Sequence, residues 1–348
     1  MKVDEAVLKL LSLDPAKTTV SSHGGGGMSS ASTSRISTEL ADGRTKNYFM
    51  KTGRGEDARV MFEGEHASLS AIHAAVPSLC PNSLGWGQFA SNPATSFLVT
   101  DFLDLSGRAS LLGGPSSSSS SAKHPRPPSL ARKLAQLHSC PAPVPPGRDR
   151  PAYGFPVTTC CGDTPQDNGY ADGWAEFYAE RRLRFILGRS EASNGPDAEL
   201  GRLVEATAGK VVPRLLGEGH LGGAEGIRPV VVHGDLWSGN ASRGRVDGVA
   251  AFDEYGGVPQ DVVFDPSACY AHSEYELGIM RMFGGFGAAF WREYHELVPK
   301  TEPVGEYEDR VRLYELYHHL NHHALFGGGY RSGAVSIMKD LVRKYGKG

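Results

Sequence analysis

The chain has 348 residues, 40% of them hydrophobic and 22% charged, with a formal net charge of −3; that is the balance of a globular protein large enough for two lobes around a substantial core. No basic run is present, which argues against nucleic acid as a partner, because phosphate binding needs clustered Lys and Arg. No apolar run approaches the roughly 20 residues that cross a bilayer, which argues against a membrane protein.

Met1 to Leu13 mixes Lys2, Asp4, Glu5 and Lys9 with leucines and predicts a short amphipathic helix, not a signal peptide. Arg35 to Leu40 and Lys46 to Lys51 are β-compatible runs joined across Asp42-Gly43, a hairpin signal. Asp57 to Val76 predicts a helix, with Met61, Glu65, Leu69, Ile72 and Val76 on one face. Phe97 to Phe102 is a buried-strand candidate. The serine- and proline-rich segment 113–128 has the composition of a flexible, solvated insertion. Helices are expected again from Leu130 to His138 and from Trp174 to Leu187. Val230 to Val232 is a short apolar strand, and the chain beyond Tyr270 is mainly helical. The order of elements favours a two-lobed α+β arrangement over a regular βα alternation. Five cysteines, an odd number without a Cys-x-x-Cys pair, suggest neither a disulfide framework nor a zinc site. The setting this implies is reducing and cytoplasmic, with an organelle as the alternative.

The most informative stretch follows the apolar strand: His233-Gly234-Asp235-Leu236-Trp237-Ser238-Gly239-Asn240. It has the His-x-Asp-x-x-x-x-Asn spacing of a kinase catalytic loop. Phosphoryl transfer needs a carboxylate to orient the acceptor hydroxyl and take its proton, and an amide oxygen on the same loop to hold Mg²⁺. Asp235 suits the first role and Asn240 the second. A second metal carboxylate is expected after the loop, at a strand end. Asp253 and Asp265 compete for it. Spacing favours Asp253; the local run Phe264-Asp265-Pro266-Ser267 favours Asp265.

On the nucleotide side, Gly24, Gly25, Gly26, Gly27 and Met28 form a glycine loop between β-prone segments, suited to backbone N–H contacts with phosphates. No Lys-Ser/Thr follows, so it is not a Walker A motif. Lys51 ends a strand and is placed to reach the phosphates. Glu65 lies on the apolar stripe of its helix, where an unpaired carboxylate is costly, and Lys51 is its natural partner. Asp101 to Leu103 stands where a hinge would offer backbone groups to adenine, with Thr100 as the gatekeeper position. His318-His319-Leu320-Asn321-His322-His323 places two His pairs at i, i+4, but no carboxylate or cysteine completes a metal set.

These strings, together with Met61-Phe62-Glu63-Gly64-Glu65, Tyr270-Ala271-His272-Ser273-Glu274, Phe283-Gly284-Gly285-Phe286 and Leu320-Asn321-His322, resemble the fructosamine/ketosamine-3-kinases. The resemblance runs from about residue 20 to the C-terminus, and Trp237 after Asp-Leu is its most specific feature. It implies a protein-kinase-like fold related to aminoglycoside phosphotransferases, with a small β-rich N-lobe (1–104) and a larger, mainly helical C-lobe (105–348). It implies ATP and Mg²⁺ as cofactors. The substrates it implies are ketosamines, free or on glycated protein lysines, phosphorylated on the sugar 3-hydroxyl so that the amine is freed. Trp237, His272 and Glu274 would then line the acceptor site. A monomer and a homodimer both fit the resemblance. Some members carry a glycine-loop cysteine used for redox-sensitive dimerisation, and Met28 stands there instead. A kinase for another hydroxylated amine, aminoglycoside- or choline-like, is the competing enzyme; Trp237 and the His272–Glu274 segment argue against it. A non-catalytic binding module is the competing class, and the joint presence of Lys51, Glu65, Asp235, Asn240 and Asp265 argues against that.

Overall fold

A computed structural model describes residues 2–24, 31–108, 126–246 and 255–346. Near the N-terminus, Asp4 caps helix α1 (Glu5–Leu11) by accepting the Ala6 N–H at 2.9 Å. The same carboxylate accepts the N–H groups of Ala90 and Ser91 at 2.8 and 3.1 Å, which ties α1 to the following sheet. That sheet is antiparallel and contains β1 (Thr18–Ser22), β2 (Ser32–Glu39), β3 (Thr45–Arg54), β4 (Ser83–Gln88) and β5 (Thr95–Asp101), in the order β1-β2-β3-β5-β4. The hairpin signal Asp42-Gly43 joins β2 to β3, as expected.

Alternation along β3 decides where Lys51 goes. Tyr48 and Met50 join Val7, Ile36, Phe97 and Val99 in a small core on the α1 face of the sheet. Lys51, one residue on from Met50, turns to the other face, where helix α2 (Gly55–Ala75) lies. Leu69 and Ile72 of α2 belong to the main core of the molecule. In addition, Ser68 Oγ accepts the Ala268 N–H at 3.0 Å. This one helix therefore touches both the five-stranded sheet and the segment around Ala268.

The chain leaves the five-stranded sheet at Asp101. Strand β6 (Leu103–Arg108) pairs instead with β10 (Ala241–Val246), which pairs on its other side with β11 (Gln260–Val263). Leu103 packs on Val246 and Val262. The crossing therefore falls at Phe102, and the expected lobe boundary between 104 and 105 lies inside β6. Residues 109–125, most of the expected insertion, lie outside the described residues.

The rest is mainly helical. Helix α3 (Leu130–Ser139) starts at Ser129, whose hydroxyl accepts the Arg132 N–H at 3.2 Å. The short strands β7 (Cys160–Cys161) and β8 (Thr164–Pro165) pair with each other. Helix α4 (Trp174–Tyr178) continues through a π-helical turn, Ala179–Arg184, into α5 (Phe185–Asn194). Helix α6 (Ala198–Ala206) likewise continues through Thr207–Val211 into α7 (Val212–Leu216). Strand β9 (Val230–Val232) pairs antiparallel with β12 (Cys269–Ala271). Helices α8 (Glu276–Phe283), α9 (Ala288–Leu297), α10 (Tyr307–Phe326) and α11 (Tyr330–Tyr345) close the chain. Their core is aromatic at its centre, where Trp174, Tyr178, Tyr275 and Tyr314 meet ring to ring. No described helix is long and apolar enough to cross a membrane.

Candidate active site

The site is assembled by two strand registers. In the β9–β12 pair, Val232 faces Cys269, so the residues that follow Val232 run beside those that precede Cys269. The Ser267 N–H donates to the His233 carbonyl at 2.8 Å. Gly234 has φ +82°, and a Cβ there would come within 2.1 Å of the Ser267 carbonyl oxygen. Only glycine fits that turn. His233 donates from Nε2 to the Phe264 carbonyl at 3.0 Å and accepts the Asp235 N–H on Nδ1 at 3.3 Å. Burial lowers its pKa, which keeps the ring in this neutral form.

In the β10–β11 pair, Ala241 faces Val263. Asn240 therefore lies opposite Phe264, whose N–H donates to the Asn240 carbonyl at 3.1 Å. Asp265 is one residue further along. A long hairpin thus returns Asp265 to Asn240 whatever its length. Asp253 lies outside the described residues.

The Asn240 amide nitrogen donates to the Asp235 carbonyl at 2.9 Å and, more weakly, to its Oδ2 at 3.4 Å. No described residue donates to Asn240 Oδ1. Lys51 Nζ donates to both Glu65 oxygens at 2.7 and 2.8 Å and to Asp265 Oδ1 at 2.7 Å. One ammonium thus ties β3, α2 and the end of the β10–β11 hairpin together. Asp265 holds a left-handed backbone, φ +57°, and its side chain is 48% exposed. A non-glycine residue in that region is strained, and such strain gathers at functional positions.

The charges are not balanced. Burial pushes the Asp235 carboxyl well above the ordinary range, and the neighbouring Asp265 and Glu276 carboxylates push it the same way. The surrounding protein works against charge on Asp265 even though half of its side chain meets solvent, but the Lys51 ammonium outweighs this and holds that carboxyl below its usual value. Glu65 is raised by burial, which Lys51 offsets only in part. Like charges gathered against solvation are an arrangement that a cation would relieve. The available donors are Asn240 Oδ1 and the Asp265 carboxylate, hard oxygen ligands of the kind Mg²⁺ takes, usually with water and phosphate completing its shell.

Gly24 is placed at the end of β1, with its carbonyl 3.5 Å from the Thr33 hydroxyl. Gly25, Gly26, Gly27 and Met28 lie outside the described residues. His23, just before them, packs its ring on Phe102 at 5.0 Å, so the base of the loop meets the crossing between the sheets. At that crossing the Asp101 N–H is taken by the Asn82 carbonyl at 3.0 Å, and the Asp101 carbonyl accepts the Thr100 hydroxyl at 3.0 Å. These groups are committed within the protein. Leu103 is in the β6–β10 pair, opposite Val246.

Trp237 is half-buried, and its ring folds back over the loop. A Cβ at Gly239 would lie 2.1 Å from the indole. His272 and Glu274 are not brought to this group. They are 2% and 3% exposed. His272 is bonded to the Tyr314 hydroxyl at 2.9 Å and to the Thr301 hydroxyl at 2.8 Å. Glu274 receives Arg310 through both its oxygens, at 2.8 and 3.1 Å. Their expected place in the acceptor site is corrected: one short polar run carries its side chains inward, because β12 and α8 bury it in the aromatic core.

A match to the fructosamine kinase family model extends over residues 14–344. The chain belongs to this family. Ketosamine-3-kinase of Mus musculus is 35% identical over 305 residues, spanning 85% of this chain and 88% of that protein. The chloroplastic protein-ribulosamine 3-kinase of Arabidopsis thaliana is 32% identical over 299 residues, spanning 85% of this chain and 76% of that one. A crystal structure of a candidate fructosamine-3-kinase from Thermobifida fusca superposes with a TM-score of 0.68 at 24% identity, covering 98% of this chain and 99% of that one. An aminoglycoside phosphotransferase superposes with a TM-score of 0.53 at 13% identity, covering 97% of both chains. The two structures establish the kinase-like fold.

Two further residues of this fructosamine kinase family member shape the site. Glu276 is 1% exposed and accepts the N–H groups of His233 and of Gly234, the latter at 3.0 Å. It fixes the backbone of the His233–Asn240 loop from the start of α8. In the sequence Glu276 is one of two carboxylates in Ser273-Glu274-Tyr275-Glu276, with nothing to set it apart from Glu274. Cys161, 1% exposed, points its Sγ at Asp235 Oδ1 at 3.8 Å. Burial raises that thiol well above its usual pKa, and Asp235 adds to the shift. It stays protonated beside Asp235, and no pattern in the sequence linked the two.

Proposed function

We propose that this protein transfers the γ-phosphoryl group of ATP to the sugar 3-hydroxyl of ketosamines, on glycated protein lysines or on small amines. The observation that carries the reading is the convergence of Asp235, Asn240 and Asp265, with Lys51 bridging Asp265 to Glu65. The names of the mouse and plant relatives support the choice of acceptor.

Asp235 orients the acceptor hydroxyl and takes its proton as the oxygen–phosphorus bond forms. The bond from the γ-phosphorus to the bridging oxygen breaks, and ADP leaves with the electron pair. The raised pKa of Asp235 suits a carboxylate that must hold this proton. Lys51, kept charged by two carboxylates, reaches the nucleotide phosphates from β3. Asn240 and Asp265 would hold Mg²⁺, which supplies neutralisation of the phosphate charge when bound. Gly24 and the glycines after it would cover the phosphates, and the chain around Phe102 and Leu103 would face the adenine. Trp237 would wall the sugar. His272 and Glu274 have no part in binding it. The described cysteines are all free thiols, which supports a reducing setting such as the cytoplasm.

The test is direct. Purified protein is given ATP, Mg²⁺ and either ribulosyl-lysine or fructosyl-lysine, and the phosphorylated position is read by NMR. A 3-phosphate on at least one of them is expected. Transfer to neither would remove the acceptor assignment.

A further inference from the structure

Beyond Trp237, aromatic rings continue away from the catalytic loop. Trp237 meets Phe283 of α8 at 5.8 Å between ring centres. Phe283 meets His322 of α10 at 5.3 Å. His322 in turn meets Phe326 at 5.7 Å and Tyr330 at 5.1 Å, at the turn from α10 to α11. Phe283 and Phe326 are 39% and 52% exposed. A single exposed aromatic needs no explanation, but a connected row of them does. The His322 ring is held in place by its Nδ1–H, which donates to the His318 carbonyl at 2.8 Å.

The row is tied to the reacting carboxylate by a second route. The Asn321 amide, next to His322, donates to the Cys161 carbonyl at 3.2 Å. The Cys161 thiol is the group that touches Asp235. Asn321 of α10 is thus joined to Asp235 through Cys161.

The covalent structure of a ketosamine says what would lie there. Its amine is two carbons from the one that bears the 3-hydroxyl. With that hydroxyl at Asp235 and the sugar against Trp237, an amine directed towards Phe283 would send whatever it carries along the row. Aromatic faces attract ammonium groups and take up methylene stems. A lysyl side chain offers a flexible four-carbon stem.

We propose that Phe283, His322, Phe326 and Tyr330 form the subsite for the amine substituent, and that it selects ketosamines whose amine bears an extended apolar stem, such as a lysyl side chain within a peptide, over those built on short amines. The proposal rests on the ketosamine reading above and adds the specificity of the same site. A one-sided ledge removes only part of each methylene from water, so the gain is about twofold per methylene.

The experiment uses the full chain with ATP, Mg²⁺ and a series of ribulosamines made from methylamine, butylamine, hexylamine and Nα-acetyl-lysine methylamide. In the wild type kcat/KM is expected to rise from methylamine through butylamine to hexylamine by about twofold per methylene, through KM and not kcat, with the lysine derivative between the last two. The variants Phe326→Ser and Tyr330→Ser, alone and together, are expected to flatten that rise to under twofold across the whole series. The ratio of long to short substrate is read within each variant, so a loss of folded protein does not imitate the result. Equal kcat/KM along the wild-type series, or an unchanged slope in the double variant, overturns the ledge while leaving the ketosamine reading standing. Transfer to no member of the series overturns both.

Discussion

Two buried polar clusters flank the start of α8 and differ in how their charge is settled. At the core cluster, Arg310 holds Glu274 through both carboxylate oxygens, and the Thr301 N–H adds a third contact at 2.8 Å. Burial alone would raise the Glu274 pKa, but His272 and Arg310 hold it below its ordinary value. At the Asp235 cluster, the carboxylate has among the described residues only Asn240 and a thiol for partners, while burial, Asp265 and Glu276 push its pKa up. The core cluster has its polar capacity filled by protein groups. Among the described residues, the Asp235 cluster keeps acceptors without a protein donor and excess negative charge. Burial of polar groups is common to both, so burial does not mark a site; uncompensated charge does.

This contrast can be broken by experiment. Its largest expected effect is at Asp235. Asp235→Asn is expected to lower kcat by about a thousandfold, since it removes the proton acceptor. The thermal midpoint should hold or rise, because a crowded negative charge is relieved. A fall in both together would make Asp235 a structural residue. The mirror experiment is Arg310→Met, which leaves Glu274 buried without its cation. Denaturant unfolding should show a loss of about 3–5 kcal/mol, while kcat per folded molecule stays within about threefold of wild type. A collapse of kcat at full folding would join the two clusters into one.

A smaller effect separates them by pH. Burial, more than the Arg310 charge, pushes His272 down to about 4. The unfolded chain has an ordinary His near 6.5, so it binds a proton first as the pH falls. The stability from neutral His272 is therefore complete above about pH 6.5 and is lost as the pH falls towards 4, by roughly 3 kcal/mol in all. Unfolding free energies measured across that window should show this slope in the wild type, and His272→Asn should reduce it. An unchanged slope in the variant would place the titration elsewhere.

Much of the machinery was legible because it rests on local signals. The apolar Val230–Val232 preceded the His-x-Asp spacing and is strand β9, as expected. The helix expected over Asp57 to Val76 is α2, and the polar misfit of Glu65 on its apolar face correctly implied Lys51. Counting residues favoured Asp253 and the local run favoured Asp265. The meeting of Asp265 with Lys51 depends on the β10–β11 register, which a hairpin fixes through pairing and not through loop length. His272 and Glu274 were misplaced for a related reason. A polar run after a catalytic motif reads alike whether it faces a cleft or a core. Glu276 was missed because a carboxylate that binds backbone N–H groups needs no partner with a sequence signature.

The amino-acid order by itself determined the strand before the His233–Asn240 loop, the helix that carries Glu65 and the membership of a kinase-like family, because each is written in neighbouring residues or a short period. Tertiary structure alone decided that Asp265 meets Lys51, that Glu276 holds the loop, that Cys161 lies against Asp235 and that Glu274 is spent on Arg310. Those contacts join residues far apart in the chain. Their energies come from exclusion of water and from the nearness of other charges, neither of which exists until the chain has folded.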